Sequence, residues 1–421
     1  MLENVNPKSP LANALNRVPF ILQIVIGLCL GIFLAWVYPD DKTVIPALGG
    51  LFVKALKAIA PLLVFVLVAA AIAKQDTSER TSLKTVMALY VIGMVLASTL
   101  ALVMSFLFPS TFAELADEAQ GVAAPKGIKE VLINFVNQAV DNPVNALLTG
   151  NYIGILVWSA LFGVMFRFSH DATKKVLDDL AQCVSGVVRM VIRCAPLGVL
   201  GLVYSSCTQE GGFANLLNYV HVIVVLVATM LMVAFIINPI IVFACTRKNP
   251  FPLIGTCIAN SAVTAFFTRS SAANLPVNME LCKKLGLPKE TYSISIPLGC
   301  TINMSGAAVT IIVMTMAAVN TLGVQVDFGS ALFMGITAVL CACGSSGVAG
   351  GSLMLIPLAC SIFGINNDIA MQIVGIGFII GVIQDSTETA LNSSTDVVFT
   401  AAACERDARL GRGPAMGKPE E

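Results

Sequence analysis

Five residues near the C-terminus have the types and the spacing to do chemistry. Asp385, Glu388, Thr389, Asn392 and Asp396 follow one another at intervals of three, one, three and four residues. On a helix turning about 100° per residue they fall within an arc of roughly 100°. They lie between two apolar runs, Ile373–Ile383 and Val397–Ala403. Three carboxylates are too costly to face lipid, so the stripe must face a polar interior, a cavity or an ion. Carboxylate and amide oxygens suit a hard cation such as sodium, and a carboxylate also suits the ammonium of an amino acid. The alternative is a polar network that only holds helices together. Asp396 has no basic partner in the nearby sequence, which favours an accompanying cation.

The elements that position this stripe are those of a polytopic membrane protein. Of 421 residues, 57% are hydrophobic and only 12% charged, with a mean hydropathy of +0.85. A soluble domain is about a quarter charged. Net charge is zero and no basic tract occurs, so nucleic acid is not an expected partner. The 12 cysteines are scattered through apolar runs without a C-x-x-C pair, which reads as small core residues, not disulfides or zinc ligands. Enzyme chemistry lacks its parts: the two histidines, His170 and His221, sit away from the polar stretches, and no G-x-S-x-G occurs at 344–352.

Apolar segments of spanning length fall near 18–38, 50–73, 84–108, 145–167, 177–206 and 217–245. Lys8 and Arg17 precede the first, and no small-residue cleavage site follows it, so it reads as a retained helix. Lys54 and Lys57 in the second are expected to snorkel to headgroups or line a crevice. Lys8, Arg17, Lys74, Arg80, Lys84, Arg167, Lys174, Lys175, Arg247 and Lys248 fall on one side of these spans. Asp40, Asp41 and Lys42, then Glu114, Asp117 and Glu118, then Glu210 fall on the other. The positive-inside rule therefore puts both termini in the cytoplasm and makes 109–144 the one long external loop. The charged tail from Glu405 reads as cytoplasmic and unstructured.

After residue 248 the apolar stretches shorten. Phe251–Phe267, a polar tip at Thr268–Pro276 and Val277–Leu285 read as one re-entrant hairpin. Ala331–Leu340, a tip at Gly344–Ser352 and Leu353–Phe363 read as a second. Lys283, Lys284 and Lys289 give the first a cytoplasmic mouth, and Asp327 and Asp368 give the second an external one. Oppositely directed hairpins suit an inverted repeat and alternating access better than a channel. Between them, Ser293–Val319 is interrupted by Asn303-Met304-Ser305-Gly306, whose freed carbonyls could bind an ion. Helix N-termini at the tips could receive a substrate carboxylate, although small-residue packing would also use Gly, Ala and Ser.

Several motifs resemble the dicarboxylate/amino acid:cation symporter family over roughly residues 15–405. They are Arg269-Ser270-Ser271 with Leu275-Pro276-Val277, Pro297-Leu298-Gly299-Cys300-Thr301-Ile302-Asn303-Met304, Gly347-Val348-Ala349-Gly350, and Asp385 with Thr389, Asn392 and Asp396. Within the family the likeness is greatest to bacterial members that carry serine and threonine with sodium. The resemblance implies an all-α inner-membrane protein of eight transmembrane helices and two re-entrant hairpins. It implies inverted repeats, a homotrimer and elevator-type transport. Residues 1–248 would be mainly the trimerisation scaffold, with parts of the third and sixth helices moving with the transport part. Residues 249–404 would be the transport core, and 405–421 the tail.

By the same resemblance, Asp385 meets the substrate ammonium, and Ser271, Val348, Thr389 and Asn392 are further substrate contacts. One sodium site uses backbone at Gly299, Asn303 and Asn392 with the carboxylate of Asp396. A second uses Thr301, Met304 and carbonyls near Ala342, Cys343 and Ser345. Two departures stand out. Glu388 replaces the arginine of members that carry acidic substrates, and Ser305 replaces the aspartate of their Asn-Met-Asp motif. The first departure disfavours a negative side chain on the substrate and places Glu388 among the substrate-binding residues. The second removes a carboxylate from a further sodium site. The expected function is sodium-coupled import of serine and threonine. A proton-coupled or exchange-type carrier of small neutral amino acids is the alternative.

Overall fold

The computed structural model describes residues 19–41, 43–73, 81–112, 115, 127–208, 212, 215–343 and 350–412, and every regular element among them is helical. Six helices are long and apolar enough to cross a membrane, or seven if the pair Asp171–Ile192 and Ala195–Thr208, bent by 51°, counts as one span. The six are Val44–Ala73, Ser82–Leu107, Leu216–Thr246, Phe251–Thr268, Lys289–Thr321 and Asn367–Arg409. Shorter apolar helices include Leu22–Val37, Tyr152–Arg167 and Phe328–Ala342.

Two packed groups emerge. Helices Phe20–Val37, Val44–Ala73, Tyr152–Arg167, Asp171–Ile192 and Ala195–Thr208 pack on one another. Most helices after residue 215 gather round the C-terminal helix Asn367–Arg409, Phe328–Ala342 packs on Ser305–Thr321 beside it, and the third long helix, Thr81–Leu107, joins that second group. Burial shows which helices are interior. The apolar windows of Lys289–Thr321 and Asn367–Arg409 are 100% and 83% buried, against 33% for Leu216–Thr246. An interior helix can carry a polar stripe because other helices supply the partners that lipid cannot.

Local chemistry sets the boundaries. Asn366 Oδ1 accepts from Ile369 N at 2.9 Å and starts the C-terminal helix. Asp327 Oδ1 caps Phe328–Ala342 through Ser330 N at 3.0 Å, and Ser270 Oγ caps Ser271–Lys284 through Ala273 N at 3.3 Å. Asp41 accepts from Thr43 N, Val44 N and Ile45 N at the start of the second long helix. Those bonds, Ile45 foremost, hold its carboxyl down to about 2.

Several expectations change. The segment 109–144 is not a loop throughout: Ile128–Ala139 is an amphipathic helix that buries Val131 and sets Phe135 edge-to-face against Phe333, with ring centroids 5.1 Å apart. Its charged Lys129 and Glu130 hid that periodicity. The span expected at 145–167 is broken where Gly150 turns left-handed (φ 70°) and Asn151 caps Tyr152–Arg167. The tail is helical to Arg409, because Thr85 donates to Asp407 at 3.1 Å and Arg409 donates to the Cys245 carbonyl at 3.0 Å.

The first hairpin is tighter than its composition suggested. Its first arm, Phe251–Thr268, contains a π turn at Ile258–Ala262, and only Arg269 and Ser270 separate it from Ser271–Lys284. At 18 residues, about 27 Å, that arm is not too short to span. Ser261 on one arm and Asn274 and Asn278 on the other hydrogen-bond to each other, and both asparagines donate to Ser393 of the C-terminal helix. Lys54 and Lys57 line a cavity of about 360 Å³ with Ser205, Asp368 and Gln372, and Lys57 pairs with Asp368.

Candidate functional site

All five stripe residues lie on the continuous helix Asn367–Arg409, and none is more than 6% exposed. What they face is decided by the breaks in neighbouring elements. The span Lys289–Thr321 is interrupted where expected. Asn303 (φ −84°, ψ 80°) and Met304 (φ −116°, ψ 53°) leave the helical region between Lys289–Ile302 and Ser305–Thr321.

That break meets the far end of the stripe. Asn303 Nδ2 donates to Asp396 Oδ1 at 2.9 Å, while Asn303 Oδ1 is buried without a partner. Gly306 N donates to Asn392 Oδ1 at 2.7 Å, and Asn392 Nδ2 donates to Met304 Sδ at 3.4 Å. Gly299 packs its bare backbone against the carboxylate: a Cβ there would lie 2.5 Å from Asp396 Oδ1 and 2.6 Å from the Tyr90 hydroxyl. Among the described residues no lysine or arginine pairs with Asp396. A buried carboxylate, an orphaned amide oxygen and loosened backbone form an oxygen-rich set that fits a hard monovalent cation.

Asp385, at the other end, already has a cation. Arg269 Nε, at the turn of the first hairpin, donates to Asp385 Oδ2 at 2.7 Å, and both residues are buried. Asp385 Oδ1 accepts from Gly350 N of the second hairpin at 3.2 Å. The carboxylate is thus held by both hairpins at once.

Glu388 is enclosed differently. Its Oε2 accepts from Thr310 Oγ1 at 2.7 Å, Ser352 Oγ at 2.8 Å and Gln384 Nε2 at 2.5 Å. These donors come from the second half of the broken span, the second hairpin and the same helix one turn back. Among the described residues Gln384 Oε1 is buried without a partner. Among the described residues Glu388 has no ion-pair partner. Glu388 therefore neither faces lipid nor merely packs: its Oε2 ties three elements together through three hydrogen bonds.

The remaining expected residues are less closely drawn in. Ser271 is buried as the first residue of Ser271–Lys284, at a helix N-terminus where Ser270 Oγ already takes the Ala273 N–H. Thr389 is buried beside Glu388. Thr301 Oγ1 donates to the Leu298 carbonyl of its own helix. Ala342 ends Phe328–Ala342, and Cys343 Sγ donates to the Val339 carbonyl. Ser345 and Val348 lie outside the described residues. Sequence reasoning gave no role to Arg269, Thr310, Ser352, Gln384 or Tyr90. Arg269 had a readable signal: an arginine in an otherwise uncharged hairpin tip calls for a buried acid.

The fold and site together define a multi-pass helical membrane protein with ionisable groups gathered at helix breaks in its interior. The model of the sodium:dicarboxylate symporter family matches residues 20–405, and the chain belongs to that family. The family is one of transporters, not enzymes.

Proposed function

We propose that the protein is a sodium-coupled symporter that imports small neutral amino acids, serine and threonine foremost, across the bacterial inner membrane. The observation that carries the substrate class is Glu388, a second buried carboxylate one turn from Asp385. Among the described residues the arginine at the site, Arg269, pairs with Asp385. A dicarboxylate's second negative group would meet Glu388 and find no free cation among the described residues. A short hydroxylated side chain could instead hydrogen-bond beside Glu388 or Thr389, and substrates lacking that hydroxyl would leave polar groups unpaired.

In this reading Asp385 orients the ammonium, while Ser271 and the N–H groups at the start of its helix receive the carboxylate. Asn392 bridges to the sodium site at Gly299, Asn303 and Asp396. Thr301, Met304, Ala342, Cys343 and Ser345 are proposed for a second sodium, with Val348 as a further substrate contact. The chain would cross the membrane eight times, carry two re-entrant hairpins and keep both termini in the cytoplasm. It would work as a homotrimeric elevator, with the group round the C-terminal helix moving against residues 20–73 and 152–208. The deciding experiment is uptake of radiolabelled serine into proteoliposomes with and without an inward sodium gradient. Gradient-dependent uptake that serine and threonine compete for, and aspartate does not, is expected. Uptake indifferent to sodium, or aspartate competing as well as serine, refutes the reading.

A further inference from the structure

Arg269 occupies an unusual backbone position. It is one of two described non-glycine residues in the left-handed region, with φ 51°. Its N–H closes the preceding helix on the Ala265 carbonyl at 2.9 Å, and Ser270 caps the next helix. Its guanidinium lies beside Gly381, one turn before Asp385: a Cβ built at Gly381 would sit 3.9 Å from Nη2. Thr389 and Asn392 lie in the opposite direction along the same helix. Arg269 thus binds Asp385 Oδ2 from the side away from those residues. Among the described residues, Asp385 Oδ1 accepts one hydrogen bond, from the Gly350 backbone N–H at 3.2 Å. Among the described residues, the buried Nη1 has no acceptor.

A lone buried carboxylate would draw in any cation of suitable size. Paired with Arg269 it forms a unit of zero net charge. An ammonium still finds Oδ1, but a ligand with an uncompensated positive charge meets the guanidinium behind it. A zwitterion carries its own compensating carboxylate. We propose that Arg269 restricts the site to ligands without net charge, zwitterionic amino acids, by neutralising Asp385 without covering it. Arg269 then acts as a specificity-determining residue through Asp385. This rests on Asp385 as the ammonium partner.

Serine and serinamide, which has nearly the same shape but a net positive charge, separate the possibilities. Binding is read as thermal stabilisation of the purified full-length protein in sodium. Wild type should respond to serine and hardly to serinamide. R269Q should respond to serinamide at concentrations at least about tenfold lower than wild type needs, and R269K should keep the exclusion. R269Q that is still stabilised by sodium but gains no serinamide response overturns the proposal. If R269Q does not fold, R269Q/D385N replaces the buried pair by neutral groups, a change that buried pairs often tolerate. Its serinamide-to-serine ratio should fall towards one, and a ratio equal to that of wild type overturns the proposal. Wild type that ignores serine defeats the serine reading instead, because the serinamide response of R269Q is measured independently of it.

Discussion

Gly299→Ala tests the sodium site with a single methyl group. The added Cβ would lie 2.5 Å from Asp396 Oδ1, 2.6 Å from the Tyr90 hydroxyl and 2.8 Å from Asp396 Cγ. Tyr90 is fully buried and its hydroxyl is tied to the Ser295 carbonyl at 3.1 Å, so it has little freedom to retreat. Relief must come from moving the Asp396 carboxylate by roughly 1 Å, more than the about 0.5 Å that a preorganised ligand tolerates. Overpacking of this kind costs about 1–3 kcal/mol. If that cost falls on the ion-bound state, sodium affinity drops by about 5- to 150-fold. Alanine is the better helix former by about 1 kcal/mol, which offsets part of the overpacking cost in the sodium-free protein. Gly50→Ala is the control, since a Cβ there meets nothing within 4 Å. It should gain slightly in stability and leave sodium activation unchanged. The assay is the sodium concentration for half-maximal serine uptake, with sodium-induced thermal stabilisation as a second readout. A folded Gly299→Ala protein with the half-saturating sodium concentration of wild type would refute the reasoning.

Asp396→Asn removes the only carboxylate of that site and should raise the sodium requirement at least about tenfold while the protein still folds; unchanged sodium activation would sink the assignment. Glu388→Gln keeps the shape but replaces the carboxyl group whose Oε2 accepts three hydrogen bonds, and should shift relative affinities among serine, threonine and alanine by about fivefold or more in competition assays. Glu388→Arg should gain some competition by aspartate, and no change in either variant would mean that Glu388 does not set selectivity. Asp41→Asn should lower thermal stability at pH 7. The depressed carboxyl of Asp41, at about 2, contributes its stability above the ordinary range and loses it as pH falls through about 2. The gap between the two proteins should therefore narrow below about pH 4, and a gap constant with pH would contradict the role as a helix cap.

How much was legible follows from the range of each interaction. Spanning helices, the interruption at Asn303 and Met304 and the shared face of Asp385, Glu388, Asn392 and Asp396 are properties of contiguous residues. Hydropathy and a 3.6-residue period reveal them directly. The helix Ile128–Ala139 is hard to read because its buried face is short and it lies between Pro125 and Pro143 among charged residues. The first hairpin's turn was drawn too wide. Small residues such as Ala272 and Ala273 suit a loop and a tightly packed helix equally, and Ser270 as the cap settles it in favour of the helix.

The chain itself thus determined that a buried acidic stripe exists, and its chemistry limited what could accompany it. Only the tertiary structure decided which acid has which companion. Arg269 and Asp385 are 116 residues apart, Asn303 and Asp396 are 93 apart, and Thr310 and Glu388 are 78 apart. No local pattern pairs residues at those separations. A carboxylate with a guanidinium, one with three neutral donors and one with a single amide look alike along the chain, yet in the fold they differ in charge balance, and that difference is what separates an ammonium receptor, an anchor and a cation ligand.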